Sequence, residues 1–316
     1  MPSVTTPFGM IEALPGSEYH ASGTVRSCIA AEFCALQTEY GELIPQFTGN
    51  TLRKRQLPSI SFHENGMLRL LPLEEQTMIS TPIGPMPAEL LGFYENGALK
   101  RVFPLNGRLS GYWSQEDEAE LASPLKIQTP LGAIEALVIC AYFSPQGTLR
   151  SLTLWPGTGL DVPHRSTSIA ARIGVSFYDS GEVKSLEPAH PGAVPTPLGE
   201  LLAFNPDAVG ISGDSNSLRF AKDGTILGLG TVSHTFTISS EDGGTRHISP
   251  PLRNSYCDGE TPEPTPLFLD FAEDSVFFSA EGMDTVTAKL NHVSASRFFP
   301  PLPMLAPACG LNSSFM

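Results

Sequence analysis

Charge is scarce in this chain. Charged residues make up 16% of 316, against about 25% in an average soluble domain. Acids outnumber bases, 33 Asp and Glu to 19 Lys and Arg, for a formal net charge of -14. Phosphate binding needs a basic surface, so nucleic acid is not an expected partner. No stretch approaches the roughly 20 apolar residues of a membrane helix, so no transmembrane segment is expected. The first twenty residues have neither the basic start nor the apolar run of a secretion signal. Cysteines number five, an odd count scattered at Cys28, Cys34, Cys140, Cys257 and Cys309. That spacing fits a reducing, cytoplasmic location with buried free thiols rather than a disulfide framework. The five residues between Cys28 and Cys34 do not match a zinc knuckle.

Catalytic signatures are missing too. His-x-x-x-His and His-Glu-x-x-His do not occur. The glycine-rich stretches 210–213 and 228–230 lack the Lys-Ser/Thr of a phosphate loop, and no Gly-x-Ser-x-Gly elbow is present. Residues 239–244 read as a turn rather than a calcium loop, lacking alternating oxygen ligands and a distal Glu. The expectation is no cofactor, no metal and no assignable catalytic residue. Long helical periodicity is also absent; the short candidates are 31–36 and 114–122. The latter holds the acidic run Glu116-Asp117-Glu118-Ala119-Glu120, read as a solvated loop or helix start.

What is present is repetition. An aromatic, three residues, a glycine and then an aliphatic recurs from Tyr19, Phe62, Phe93, Phe103, Phe143, Phe177 and Phe220. The glycines are Gly23, Gly66, Gly97, Gly107, Gly147, Gly181 and Gly224. An eighth copy, Phe278 and Gly282, ends on Asp284, and a degraded ninth ends at Asn50. Three-residue hairpin loops commonly close on a residue with positive φ, which glycine supplies without a Cβ clash. The phrase therefore predicts hairpins pairing Phe62 with Leu68, Phe93 with Leu99 and Phe143 with Leu149. The next side chain faces away from the aliphatic. It is basic in five copies: Arg26, Arg69, Lys100, Arg150 and Lys184. These form a candidate surface-binding stripe. His20 and His63 share a slot just after the aromatic; the slot reads as a polar exposed strand position rather than a metal pair.

A second phrase, aliphatic-x-Thr-Pro-apolar-Gly, alternates with the first at 4–9, 79–84, 127–132 and 194–199. A variant at 36–41 carries Glu39 for proline, and Thr265-Pro266 lacks the glycine. It reads as a strand end, a corner and a new strand. Together the phrases predict an all-β array of antiparallel hairpin repeats, either an elongated or curled sheet (a solenoid) or a six-bladed propeller-like ring. The expected organisation is a repeat domain over 1–249. A degenerate last repeat with a Pro-rich strap would fill 250–316, where 250–264 reads as a surface loop.

The stretch Phe93-Tyr94-Glu95-Asn96-Gly97-Ala98-Leu99-Lys100, followed by Phe103-Pro104-Leu105-Asn106-Gly107-Arg108-Leu109-Ser110-Gly111-Tyr112-Trp113, resembles two tandem repeats of the MORN-variant kind, and 61–71 and 142–152 resemble them more weakly. The resemblance implies stacked aromatic-x-x-Asn-Gly-x-Leu-Lys hairpins forming a non-enzymatic surface for proteins or membranes. The expected function is a β-repeat scaffold that binds a protein partner. The alternative is a small-ligand binder or hydrolase with a pocket in a closed ring, lined from 155–165 and 207–216.

Overall fold

The computed structural model describes residues 2–49, 51–165, 167–210, 213–240 and 242–299. The chain is almost entirely antiparallel β. It divides into two compact units, one of residues 2–160 with 173–182, 210, 213 and 214, the other of the remaining described residues.

Turn chemistry builds the first unit. Tyr94 N–H donates to Ala98 O and Gly97 N–H to Tyr94 O, both at 2.9 Å. Closing both bonds over three residues requires positive φ at the last, and Gly97 sits at φ 87°. The same two bonds close the turns at His20–Gly23, His63–Gly66, Ser144–Gly147 and Tyr178–Gly181. Register follows from the turn: Tyr19 pairs with Val25, Phe62 with Leu68, Phe93 with Leu99 and Phe143 with Leu149. Phe62, Phe93, Phe143 and their three leucine partners are buried. Aromatic–aliphatic pairs of this kind contribute about 0.2–1 kcal/mol each.

Successive hairpins join edge to edge. The strands run Glu18–Tyr19, Val25–Cys28, Ile60–Phe62, Leu68–Thr81, Gly84–Phe93, Leu99–Phe103, Val138–Phe143 and Leu149–Leu154, followed by residues 174–176. This corrects the propeller alternative. Propeller blades each keep their own small sheet, whereas here Arg101 and Val102 of one hairpin pair directly with Tyr142 and Ala141 of the next.

The Thr-Pro phrase is not a corner but a second kind of hairpin. Thr6 faces Gly9 across the two residues Pro7-Phe8, and Thr38, Thr81 and Thr129 repeat the arrangement. In each, the Thr hydroxyl donates to the Gly carbonyl and accepts the N–H two residues on. The hydroxyl thereby replaces ladder bonds lost at the turn, which explains why threonine precedes the proline. The tips of the two hairpin families touch. A Cβ on Gly66 would lie 3.5 Å from Pro7 Cγ, one on Gly147 3.4 Å from Pro82 Cγ, and one on Gly181 3.6 Å from Pro130 Cβ.

Other expectations are corrected. Phe103 and Leu109 form no hairpin: the strand ends at Phe103 and Leu109 is exposed. Their loop is instead drawn toward two buried carboxylates, described below. Residues 31–35 are irregular rather than helical, while the second helix candidate is helix Gln115–Glu120.

In the second unit, strands run Val183–Pro188, Leu218–Phe220, Ile226–Thr231, Leu267–Phe271, Ser275–Ala280 and Met283–Lys289. Phe220 pairs with Ile226 through the same glycine turn. The Phe278 copy departs: Ala280 faces Met283, so the loop is two residues and Phe278 pairs with Val286. Phe278 packs at 5.0 Å from Phe236. Thr196 and Gly199 form another Thr-Pro hairpin, whereas Thr265 makes no such turn; it bonds Pro251. The expected loop 250–264 is a short ribbon of Leu252–Asn254 with Pro262–Pro264. Most of the C-terminal strap, Cys309 and Asn50 lie outside the described residues. No helix among the described residues is long and apolar enough to cross a membrane.

Replacing Gly97 by Val should lower stability by more than about 1 kcal/mol, because a β-branched residue resists positive φ. Gly111→Ala, where φ is ordinary and nothing lies within 4 Å of the added Cβ, should be close to neutral. Urea unfolding of both variants checks the pair; equal effects would contradict the turn geometry.

Candidate functional site

The basic stripe has a structural address. In four hairpins the three-residue turn is followed by a β-bulge, and the basic residue is the one left without a partner across the ladder. Arg26 falls between the pairs Glu18–Ser27 and Tyr19–Val25, and Arg69 between Ser61–Leu70 and Phe62–Leu68. Lys100 and Arg150 occupy the same place in their hairpins. A bulged residue is not bound to the pleat, so its side chain can point out. Arg26 and Arg69 are exposed. Lys100 lies 5.3 Å from the Tyr94 ring centre, and Arg150 reaches Asp179 at 3.3 Å. Lys184, in the second unit, is exposed on strand Val183–Pro188.

The slot after the aromatic is not a merely exposed position. His20 Nε2 bonds the carbonyl of Phe62 at 3.2 Å, and His63 Nε2 that of Phe93 at 3.1 Å. Tyr94 Oη donates to the carbonyl of Phe143 at 2.8 Å. Each hairpin thus ties its turn to the aromatic of the next. The acceptors are carbonyls, so both imidazoles carry their proton on Nε2. No three His, Cys, Asp or Glu side chains among the described residues converge as a metal site.

Two of the described cysteines sit in surroundings that disfavour the thiolate. Burial pushes the Cys28 thiol up to about 11 and Cys140 up to about 12, the latter despite Arg101 alongside. Arg101 is held by Asp214 and stacks 4.4 Å over Tyr142. The expectation of uniformly buried thiols fails, since Cys34 is half-buried and Cys257 exposed. From the two pattern-breaking stretches, Asp214 is engaged by Arg101 and Ser151, and Asp207 by Arg253 at 2.6 and 2.8 Å.

A charged cluster is buried in the first unit, and no local motif announces it. Arg53 makes a fork to each of two carboxylates: Nη1 and Nη2 to Glu89 at 2.9 and 2.6 Å, Nε and Nη2 to Glu118 at 2.7 and 2.8 Å. Side-chain exposure is 13% for Arg53, 8% for Glu89 and 0% for Glu118. The two acids leave one negative charge in excess, met by further donors. Asn106 N–H bonds Glu89, while Gly107 N–H and Trp113 Nε1 bond Glu118. Glu118 comes from the acidic run. Ser114 caps its helix in a reciprocal box with Asp117, and the first turn aims Glu118 inward while Glu116, Asp117 and Glu120 stay exposed. Burial pushes the Glu118 carboxyl up, but the bonds from Arg53 and Trp113 and the charge of Arg53 outweigh it and hold the group below its ordinary 4.5.

This knot anchors two loops, residues 51–56 through Arg53 and residues 104–113 through Asn106, Gly107 and Trp113. Between them opens a cleft of about 650 Å³ lined by Leu52, Arg55, Gln56, Arg108, Leu109 and Tyr112, with Arg53 in its wall. Arg55 lies 4.3 Å over the Tyr112 ring. Arg108 Nη1 meets Gln56 O at 3.4 Å, and burial with no carboxylate to offset it holds its pKa below the ordinary range. No family model, curated protein or solved structure matches the chain.

Arg53→Met should destabilise the first unit by about 3–5 kcal/mol at neutral pH, leaving Glu89 and Glu118 as buried carboxylates without their cation. Because the folded value of Glu118 is depressed, its contribution is present above its unfolded 4.5 and disappears as pH falls through the lower folded value. The gap between wild type and Arg53→Met should therefore narrow below about pH 4.5. Denaturant unfolding against pH reads it, and a pH-independent gap would contradict the arrangement.

Proposed function

We propose that the chain is a non-enzymatic β-repeat scaffold that binds an acidic protein segment through the bulge-borne bases Arg26, Arg69, Lys100 and Arg150. The observation that carries this reading is the placement of Arg26 and Arg69. Both stand on the one hairpin position that takes no part in the ladder, and neither meets a carboxylate among the described residues. In a chain with 33 acids to 19 bases, the exposed bases stay unneutralised at those points. Long-range steering of a carboxylate-rich partner follows from such placement. The resemblance of Phe93–Lys100, which does form a hairpin, to MORN-variant repeats is in keeping with a non-enzymatic binding surface.

A glutamate-rich peptide with a fluorescent label tests it. Binding to the wild-type chain should be detectable at low salt and fade at high salt. The double variant Arg26→Glu/Arg69→Glu should weaken it roughly tenfold with no change in melting temperature. Binding that the double variant leaves intact, or no binding at low salt, overturns the proposal.

A further inference from the structure

The cleft between residues 51–56 and 104–113 stands apart from the stripe and has three properties that belong together. Its size, about 650 Å³, falls within the range of small-molecule sites. Its cations lack anions. Arg53 is saturated by Glu89 and Glu118, whereas Arg55 contacts an aromatic ring and Arg108 a backbone carbonyl. Two guanidiniums therefore stand in one cavity of a strongly acidic chain, with no carboxylate among the described residues bonded to either. Its apolar side chains lie open. Leu52, Leu109 and Tyr112 are 61%, 55% and 63% exposed, and large apolar groups gathered at one opening mark a binding surface rather than a packing accident.

The walls are also rigidly held. Arg53 fixes the first loop, and Asn106, Gly107 and Trp113 fix the second, all onto the same two buried carboxylates. A site whose loops are pinned from beneath presents its ligand-facing groups with little ordering cost. Guanidinium forks match the oxygens of a phosphate two at a time, and a phosphate monoester carries close to two negative charges at neutral pH.

We propose that this cleft binds a small phosphate monoester bearing a flat ring, with the phosphate between Arg55 and Arg108 and the ring against Leu52, Leu109 and Tyr112. The charge match favours a phosphate over a carboxylate. The exposed apolar wall favours an organic phosphate over the inorganic ion.

Calorimetric titration of the full chain tests each part, with adenosine monophosphate as the probe and inorganic phosphate, adenosine and benzoate as comparisons. Adenosine monophosphate should saturate one site and bind roughly tenfold or more tighter than any of the three. Arg108→Gln and Arg55→Gln should each weaken it roughly tenfold or more. Arg55 makes no hydrogen bond among the described residues, so its variant keeps the test valid if Arg108→Gln unfolds; melting temperature monitors both. No binding of adenosine monophosphate overturns the proposal. So does equal binding of inorganic phosphate, which removes the ring, or tighter binding of benzoate, which removes the dianion. Unchanged affinity in a folded Arg55→Gln variant overturns it as well.

Discussion

Everything in the first unit depends on backbone that turns left-handed at fixed places. A glycine closing each three-residue loop sets which residues oppose each other, and a slip of one residue would exchange the two faces of every strand. With the turn in place, Phe62, Phe93 and Phe143 go inward and the bulged bases go outward. Pro7, Pro82 and Pro130 of the threonine hairpins come to rest against the same tips, at distances where an added Cβ would make ordinary contact. The glycines are required there by φ rather than by space.

Against that regular background the Arg53 knot is an exception with a purpose. Burying three charged groups is costly, and an apolar replacement of equal volume would often be no less stable. What the charges provide is geometry. A guanidinium fork donates, and two carboxylates accept, only along fixed directions, and the backbone N–H groups of Asn106 and Gly107 answer to the carboxylates. The loop 104–113 loses its hairpin as a result. Two stretches far apart in the sequence are held face to face, and the cleft exists because they are.

Much of this was legible in the sequence, for a local reason. A positive φ leaves its mark within four residues, so the pairings at Phe62, Phe93 and Phe143 could be written down in advance. The threonine phrase misled because a hydroxyl closing its own turn looks, in sequence, like a plain strand end. Phe103 misled for a different reason: the loop obeys Glu89 and Glu118, and Glu89 lies well outside the phrase. Arg53 meets acids 36 and 65 positions away, a distance over which composition and spacing carry no information. The inward turn of Glu118 had a faint signal in the Ser114–Asp117 capping box, which fixes the helix phase. The bonds from His20, His63 and Tyr94 to carbonyls were hidden because histidine and tyrosine look interchangeable with any polar residue until their reach is known.

Those last bonds have a mechanical corollary. Each stitches one hairpin to its immediate neighbour and to nothing beyond. The stretch Glu18–Cys28 sits at the end of the row, its outermost strand is two residues long, and it has a neighbouring hairpin of the row on one side only. Pulling, or digestion by a protease, would start at that margin and travel inward stitch by stitch, the way a hem unravels from its loose end.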